Sequence, residues 1–385
     1  MKTKNAFFKV ALNYFSVFTI VSVYAPYLQV YLRKSGNGIN EVGYILAVSM
    51  ASAVAGPLSF GALAKKGIPL KLLVSIICIA IVAVFFTIRF VSGFAMTAML
   101  FGLLGLCYSA LIPFTETIAN ATLDDPERQY GRARFFGTVG FLVPTLVFSI
   151  IGFPGRYPAA YILYAGIGAT LFHLSTVRAY PVFKQTQPSH IQKEGSLGTV
   201  FWLIVFITFL NRFAMTAHYS FFSLYLDEAL GIDSIGWFWL VGPMMETPVL
   251  FFGGWLLARY SIPALLAVSG LAIALRLSVY ALFPSAPAVF AVQFLHCGTF
   301  GVFYIAVIAA IRRSVSRHNL TVAMAIFAAL GMGLGPIAGS SLGGFVIEHF
   351  GYAALYLFSA SVALASSGVA IAYRRLLISH TIVKS

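Results

Sequence analysis

At 385 residues, 60% hydrophobic and only 9% charged, with a mean hydropathy of +0.91, the chain is too apolar for a water-soluble domain and reads as an integral membrane protein. Lys and Arg outnumber Asp and Glu by 25 to 11, an excess that would suggest nucleic acid in a soluble chain but here must first be tested against membrane topology. Cys78, Cys107 and Cys297 all sit in apolar runs without paired or metal-ligand spacing, so they support neither a disulfide nor a metal site.

A membrane-crossing helix needs about 20 mostly apolar residues. About twelve stretches meet that requirement: 8–32, 40–62, 70–89, 94–122, 131–153, 157–176, 199–226, 235–258, 263–283, 286–311, 319–347 and 351–373. The expected fold is an all-α membrane protein of twelve transmembrane helices. Lys2, Lys4 and Lys9 lead into the first stretch, but no small-residue cleavage site follows it, so it reads as a retained span rather than a leader. With the N-terminus in the cytoplasm, the outside loops keep only Arg33, Lys34, Arg89 and Arg156. The inside segments then hold Lys65, Lys66, Lys71, Arg128, Arg132, Arg134, Arg312, Arg313, Arg317, Arg374 and Arg375, among others. That asymmetry sets both termini inside and removes the need for a nucleic-acid partner.

One long polar interruption, from Arg178 to Ser196, divides the spans six and six. The expected organisation is an N-terminal half at 1–177, a cytoplasmic linker at 178–197 and a C-terminal half at 198–385. The halves repeat weakly. Ile39-Asn40-Glu41-Val42-Gly43 matches Ile232-Asp233-Ser234-Ile235-Gly236, Gly61 falls on Gly254, Ile68-Pro69 on Ile262-Pro263, and Phe136 and Gly140 on Phe327 and Gly331. Ordered matches of this kind indicate duplication into two pseudo-symmetric halves, which is common among transporters.

Few ionisable residues remain inside the spans once the topogenic bases are set aside. Glu116 lies within the fourth, near Thr115 and Asn120, and Arg134 opens the fifth as part of Tyr130-Gly131-Arg132-Ala133-Arg134. Each central charge costs about 2.5–3.5 kcal/mol on insertion scales, so such residues should pair across a polar interior. Arg134 is the expected partner of Glu116, either as a structural salt bridge or as part of a substrate site. In the seventh span, Arg212, Thr216 and Tyr219 form one stripe, with Asn211 and His218 on the adjoining face. In the tenth, Gln293, His296, Phe300, Phe303 and Tyr304 share a face by three-four spacing. Glu246 in the eighth span and Arg276 in the ninth complete the set. The tract Gly331-Met332-Gly333-Leu334-Gly335-Pro336 reads as close helix packing and a bend rather than as a phosphate loop.

At these residues the sequence resembles the major facilitator superfamily, and within it the phenylpropionate permeases and the neighbouring lactose permease type. The matches are Glu116 and Arg134 with the Tyr130–Arg134 run, Glu246, Arg276, and Leu295-His296-Cys297-Gly298-Thr299-Phe300. The resemblance implies that Glu116 and Arg134 bind substrate and that Glu246, Arg276 and His296 join binding to proton transfer. Two departures stand out: Thr299 occupies the place of the lactose permease type's proton-carrying carboxylate, and Phe141 that of its galactoside-stacking tryptophan. Lys65 also replaces an expected aspartate in the loop after the second span. The first two changes count against a galactoside carrier and fit the phenylpropionate-permease pattern.

The resulting expectation is a secondary active transporter of a bacterial inner membrane, working as a monomer and taking up a small organic acid such as an aromatic monocarboxylate with protons. Glu116, Asn120, Arg134, Phe141, Arg212, His218, Phe300 and Tyr304 are the candidate substrate contacts, and Glu246, Arg276 and His296 the proton-coupling group. A sugar or nucleoside symporter is the alternative, and a receptor without transport the rival from another class. The sequence shows no metal cluster, nucleophile arrangement or nucleotide loop, so neither an enzyme nor a cofactor is expected.

Overall fold

The computed structural model describes residues 6–178, 180, 197–316 and 318–381. The expected linker at 178–197 thus lies almost wholly outside the described residues. The helices are α1 (Ala6–Lys34), α2 (Ile39–Lys65), α3 (Leu70–Ile88), α4 (Phe94–Thr122), α5 (Pro126–Ile151), α6 (Tyr161–Arg178), α7 (Thr199–Leu224), α8 (Gly236–Phe251), α9 (Gly253–Arg259), α10 (Ile262–Leu282), α11 (Ala286–Ala291), α12 (Phe303–Ser314), α13 (Leu320–Ile326), α14 (Gly335–Ala372) and α15 (Arg374–Thr381). Among the described residues, nine helical stretches are long and apolar enough to cross a membrane.

All twelve stretches expected from the sequence are helical over most of their length. Four of them are divided differently from a plain rod count. Leu320–Ala372 runs unbroken for 53 residues, but Gly351 within it has φ 82° and ψ 173°. Only glycine adopts that conformation freely, so two helices meet there, between the expected eleventh and twelfth spans. The expected eighth span is cut at Phe252 into α8 and α9, just before the pair Gly253-Gly254. The tenth span, Ala286–Ser314, is not uniformly α-helical: a 3₁₀ turn at Val292–Leu295 and a π segment at Cys297–Val302 separate α11 from α12.

Two compact units emerge, Met1–Gln187 with Gly231–Leu240, and Pro188–Leu230 with Val241–Ser385. In the first, α1 packs along α5 and α6, and α2 along α4. Glycine permits the close approaches: a side-chain carbon at Gly140 would run into the Phe15 backbone, and one at Gly105 into the Ser49 backbone. In the second, α14 packs along α7 and α10. There a side-chain carbon at Gly331 would press on Thr208, and one at Gly335 on the Phe209 and Phe213 backbone. The weak match of Gly140 to Gly331 therefore has a packing counterpart: each sets a helix against the first helix of its own unit.

Candidate functional site

In the first unit, Glu116 on α4 is half-buried and accepts a hydrogen bond from the Tyr130 hydroxyl at 3.4 Å. Arg134, one turn beyond Tyr130 on α5, does not pair with it. Its guanidinium lies over the ring of Phe18 at 4.3 Å and of Tyr14 at 5.4 Å, both from α1. The expected ion pair between Glu116 and Arg134 is not formed, because α1 packs against both α4 and α5 and brings its aromatic rings to the arginine. Such cation–π contacts contribute about 0.5–2 kcal/mol. They hold the flat face of the guanidinium and leave its N–H edge without a hydrogen-bond acceptor among the described residues. Asn120 is exposed near the end of α4, and Phe141 is buried.

The second unit gathers a denser network. Arg276 on α10 is 1% exposed. Its Nε donates to the Tyr280 hydroxyl at 2.8 Å, Nη1 to Nδ1 of His296 at 2.8 Å, and Nη2 to Nε2 of His218 at 3.1 Å and to the Gln293 amide oxygen. Gln293 in turn donates to the Tyr280 hydroxyl at 2.9 Å and to the Val289 carbonyl at 2.8 Å. On its far side, Nε2 of His296 stands 2.7 Å from a Glu246 carboxylate oxygen.

These distances fix the proton positions. A guanidinium can only donate, so the imidazole nitrogens facing Arg276 must both be acceptors. His296 is then neutral with its hydrogen on Nε2, donated to Glu246. His218 is neutral with its hydrogen on Nδ1, 3.3 Å from the Tyr280 oxygen. While Arg276 stays in place, neither histidine has room for a second proton. Glu246 and Arg276 are joined by a chain in which His296 stands between them. His218, expected against substrate, is drawn into the same chain.

Arg212 on α7 is 4% exposed and lies beside this chain. Nε donates to the Asn211 amide oxygen at 3.1 Å, and Nη2 to that oxygen and to the Thr299 carbonyl at 3.3 Å. Its face covers Phe303 at 4.7 Å and Phe300 at 5.3 Å. The Tyr219 hydroxyl is hydrogen-bonded to it, and the Glu246 charge acts on it. The π segment matters here: the Thr299 carbonyl is directed to Arg212 and to the Ser269 hydroxyl, also at 3.3 Å. The same segment stacks His296 on Phe300 and Phe300 on Tyr304 nearly parallel, at 6.5 and 5.7 Å. Phe303 turns instead to Arg212, so the expected single face of the tenth span is split. Tyr280 was not legible as a site residue, although its position four residues after Arg276 was the available signal. Tyr14 and Phe18 carried no such signal, since aromatic residues in an apolar helix read as core.

Over residues 7–358 the chain matches the MFS_1 like family. A protein of Escherichia coli (strain K12) described as "Probable 3-phenylpropionic acid transporter" is 24% identical over 357 residues, which cover 90% of this chain and 93% of that protein. The "Maltose permease" of Geobacillus stearothermophilus is 26% identical over 357 residues, covering 90% of this chain and 89% of the permease. A mutant form of the nucleoside transporter NupG has a similar structure, with a TM-score of 0.85 at 16% identity over 96% of this chain and 99% of its own, a likeness of fold. The chain belongs to the MFS_1 like family, and is a multi-pass secondary transporter of small molecules rather than an enzyme.

Proposed function

We propose that this transporter takes up a small organic acid, an aromatic monocarboxylate, together with protons, across a bacterial inner membrane with both termini in the cytoplasm, and that it does so as a monomer. The observation that carries the reading is the charge balance of the second unit. Arg212 and Arg276 are both buried, and among the described residues of the cluster Glu246 is the one carboxylate, already engaged by His296. Two guanidiniums facing one carboxylate leave an uncompensated positive charge in a site where charge is costly. An anionic substrate supplies the missing charge. Arg134, held by ring faces with its N–H edge uncommitted, offers a further basic contact in the first unit.

Glu246 is the proton-binding group of this reading. It replaces the carboxylate whose place Thr299 holds, since a hydroxyl does not titrate in the physiological range. His296 orients it and Arg276 fixes the tautomer of His296. The test is uptake by reconstituted protein under an imposed pH gradient, with unlabelled aromatic acids, sugars and nucleosides as competitors. Competition by aromatic acids alone, dependent on the gradient, is the expected result. Competition by nucleosides or sugars without acids overturns the organic-acid reading.

A further inference from the structure

The surface of the second unit carries a basic patch that the polar network inside it does not use. Arg259 ends α9, Arg312 lies in the last turn of α12, and Arg374 and Arg375 open α15, and all four are exposed. Both α9 and α15 pack against α12. Beneath the patch, Leu377 of α15 and Ile311 of α12 are fully buried in one apolar cluster, with Leu256 and Leu257 of α9 packed on it. The short α15 is thus seated on the unit, which fixes Arg374 and Arg375 at the same end as Arg312. No Asp or Glu occurs on α9, α12 or α15. Among the described residues, the carboxylates of this unit are Glu246, taken by His296, and the group Asp227, Glu228 and Glu348. Glu228 accepts a hydrogen bond from the Tyr352 hydroxyl at 2.8 Å, and the helix from Tyr352 to Ala372 puts about 30 Å between that pair and Arg374. That is several times the screening length of about 8–10 Å, so these acids do not offset the patch.

We propose that this patch is a binding surface for anionic phospholipid, with Arg259, Arg312, Arg374 and Arg375 holding the headgroup phosphate. The inference is independent of the organic-acid reading above, since it uses none of the residues named there. Two further features identify the occupant. The patch is rimmed by exposed aromatic residues: Trp255 and Tyr260, whose rings meet edge-on at 6.1 Å, and Tyr373 next to Arg374. In a membrane protein, exposed Trp and Tyr of this kind mark the level of the lipid headgroups. The patch is also built from arginine alone. From Gly198 to Val383 the chain contains no lysine, whereas the first unit places Lys65, Lys66 and Lys71 around the turn from α2 to α3. Membrane topology counts the two bases alike, so it does not account for the choice. A guanidinium matches two phosphate oxygens at once, where an ammonium acts as a point charge. Each base near an anionic surface contributes about fivefold in affinity, so four together select an anionic lipid over a zwitterionic one.

The experiment is thermal unfolding of the purified full-length protein in a non-ionic detergent, titrated with dioctanoyl phosphatidylglycerol or dioctanoyl phosphatidylcholine. A lipid that binds the folded state raises the unfolding temperature. Wild type is expected to respond to phosphatidylglycerol at concentrations well below those needed of phosphatidylcholine. Arg374→Gln/Arg375→Gln is expected to raise the half-maximal phosphatidylglycerol concentration about thirtyfold. Its unfolding temperature before lipid is added should match wild type, because both side chains are exposed. Arg374→Lys/Arg375→Lys should recover only part of the loss. Lys65→Gln/Lys66→Gln, which removes an exposed basic pair of the first unit, should leave the response nearly unchanged. An equal response of wild type to both lipids overturns the proposal. So does a loss in the Lys65 and Lys66 variant as large as that in the arginine variant, which would mean general attraction of bases to the lipid. Full recovery in the lysine variant overturns recognition by the guanidinium fork. Stabilisation by glycerol 3-phosphate as strong as by phosphatidylglycerol assigns the patch to a soluble phosphate and overturns the lipid.

Discussion

The guanidinium of Arg276 has acceptors on three sides, and all of them are neutral. Gln293 is the member of that shell whose removal can be read cleanly. It is fully buried and spends its oxygen on Arg276 and its nitrogen on Tyr280 and Val289. Gln293→Leu keeps the bulk but leaves buried donors unmatched, a loss of about 1–3 kcal/mol. Thermal unfolding in detergent should show that loss, and the freed Arg276 should no longer hold His296 in one tautomer. Uphill accumulation should then suffer more than substrate exchange, and equal losses in both would reduce Gln293 to a packing role. Arg134 is the opposite case, a guanidinium held by its face. Arg134→Lys removes both the planar fork and the flat contact with Phe18 and Tyr14. An acid should then bind about tenfold more weakly in equilibrium binding. Normal affinity would leave Arg134 a topogenic or structural residue.

At the scale of helices, glycine decides which faces can meet. Gly335 sits where a side-chain carbon would meet the backbone of α7 at Phe209 and Phe213. Backbone cannot step aside as a flexible side chain can, so Gly335→Leu should cost about 1–3 kcal/mol or prevent folding, measurable as a lowered unfolding temperature. Gly368, which meets nothing within 4 Å, gives the matched control. The Gly-rich tract was legible as close packing from its composition alone, and the helices themselves were legible because twenty-residue apolar runs leave few alternatives. The tenth span was not. A face drawn at 3.6 residues per turn assumes a regular helix, whereas the 3₁₀ and π turns either side of His296 change the angular step. His296, Phe300 and Tyr304 consequently stack, and Phe303 leaves them for Arg212. The pairing of Glu116 with Arg134 was misjudged for a related reason. Charge complementarity was visible in the sequence, but the position of α1, which puts Phe18 and Tyr14 on the arginine, was not.

For the whole molecule, the proposed proton coupling requires a group that titrates to carry the proton. Both candidate acids are within the membrane-spanning helices. Glu116 accepts a hydrogen bond from Tyr130 in the first unit, whereas Glu246 accepts from a histidine whose tautomer is fixed by a buried arginine. Replacing a carboxylate with an amide preserves shape but removes the titrating group. Glu246→Gln should therefore still exchange labelled for unlabelled substrate, because exchange needs no net proton movement, yet fail to concentrate substrate under an imposed pH gradient. Glu116→Gln should retain accumulation driven by the gradient, with its affinity reduced if Glu116 contacts substrate. Proteoliposomes loaded at one pH and diluted into another measure both quantities in one preparation. Accumulation by Glu246→Gln together with its loss in Glu116→Gln would transfer the proton to the first unit, and the Arg276 network would then be a structural tie within the second.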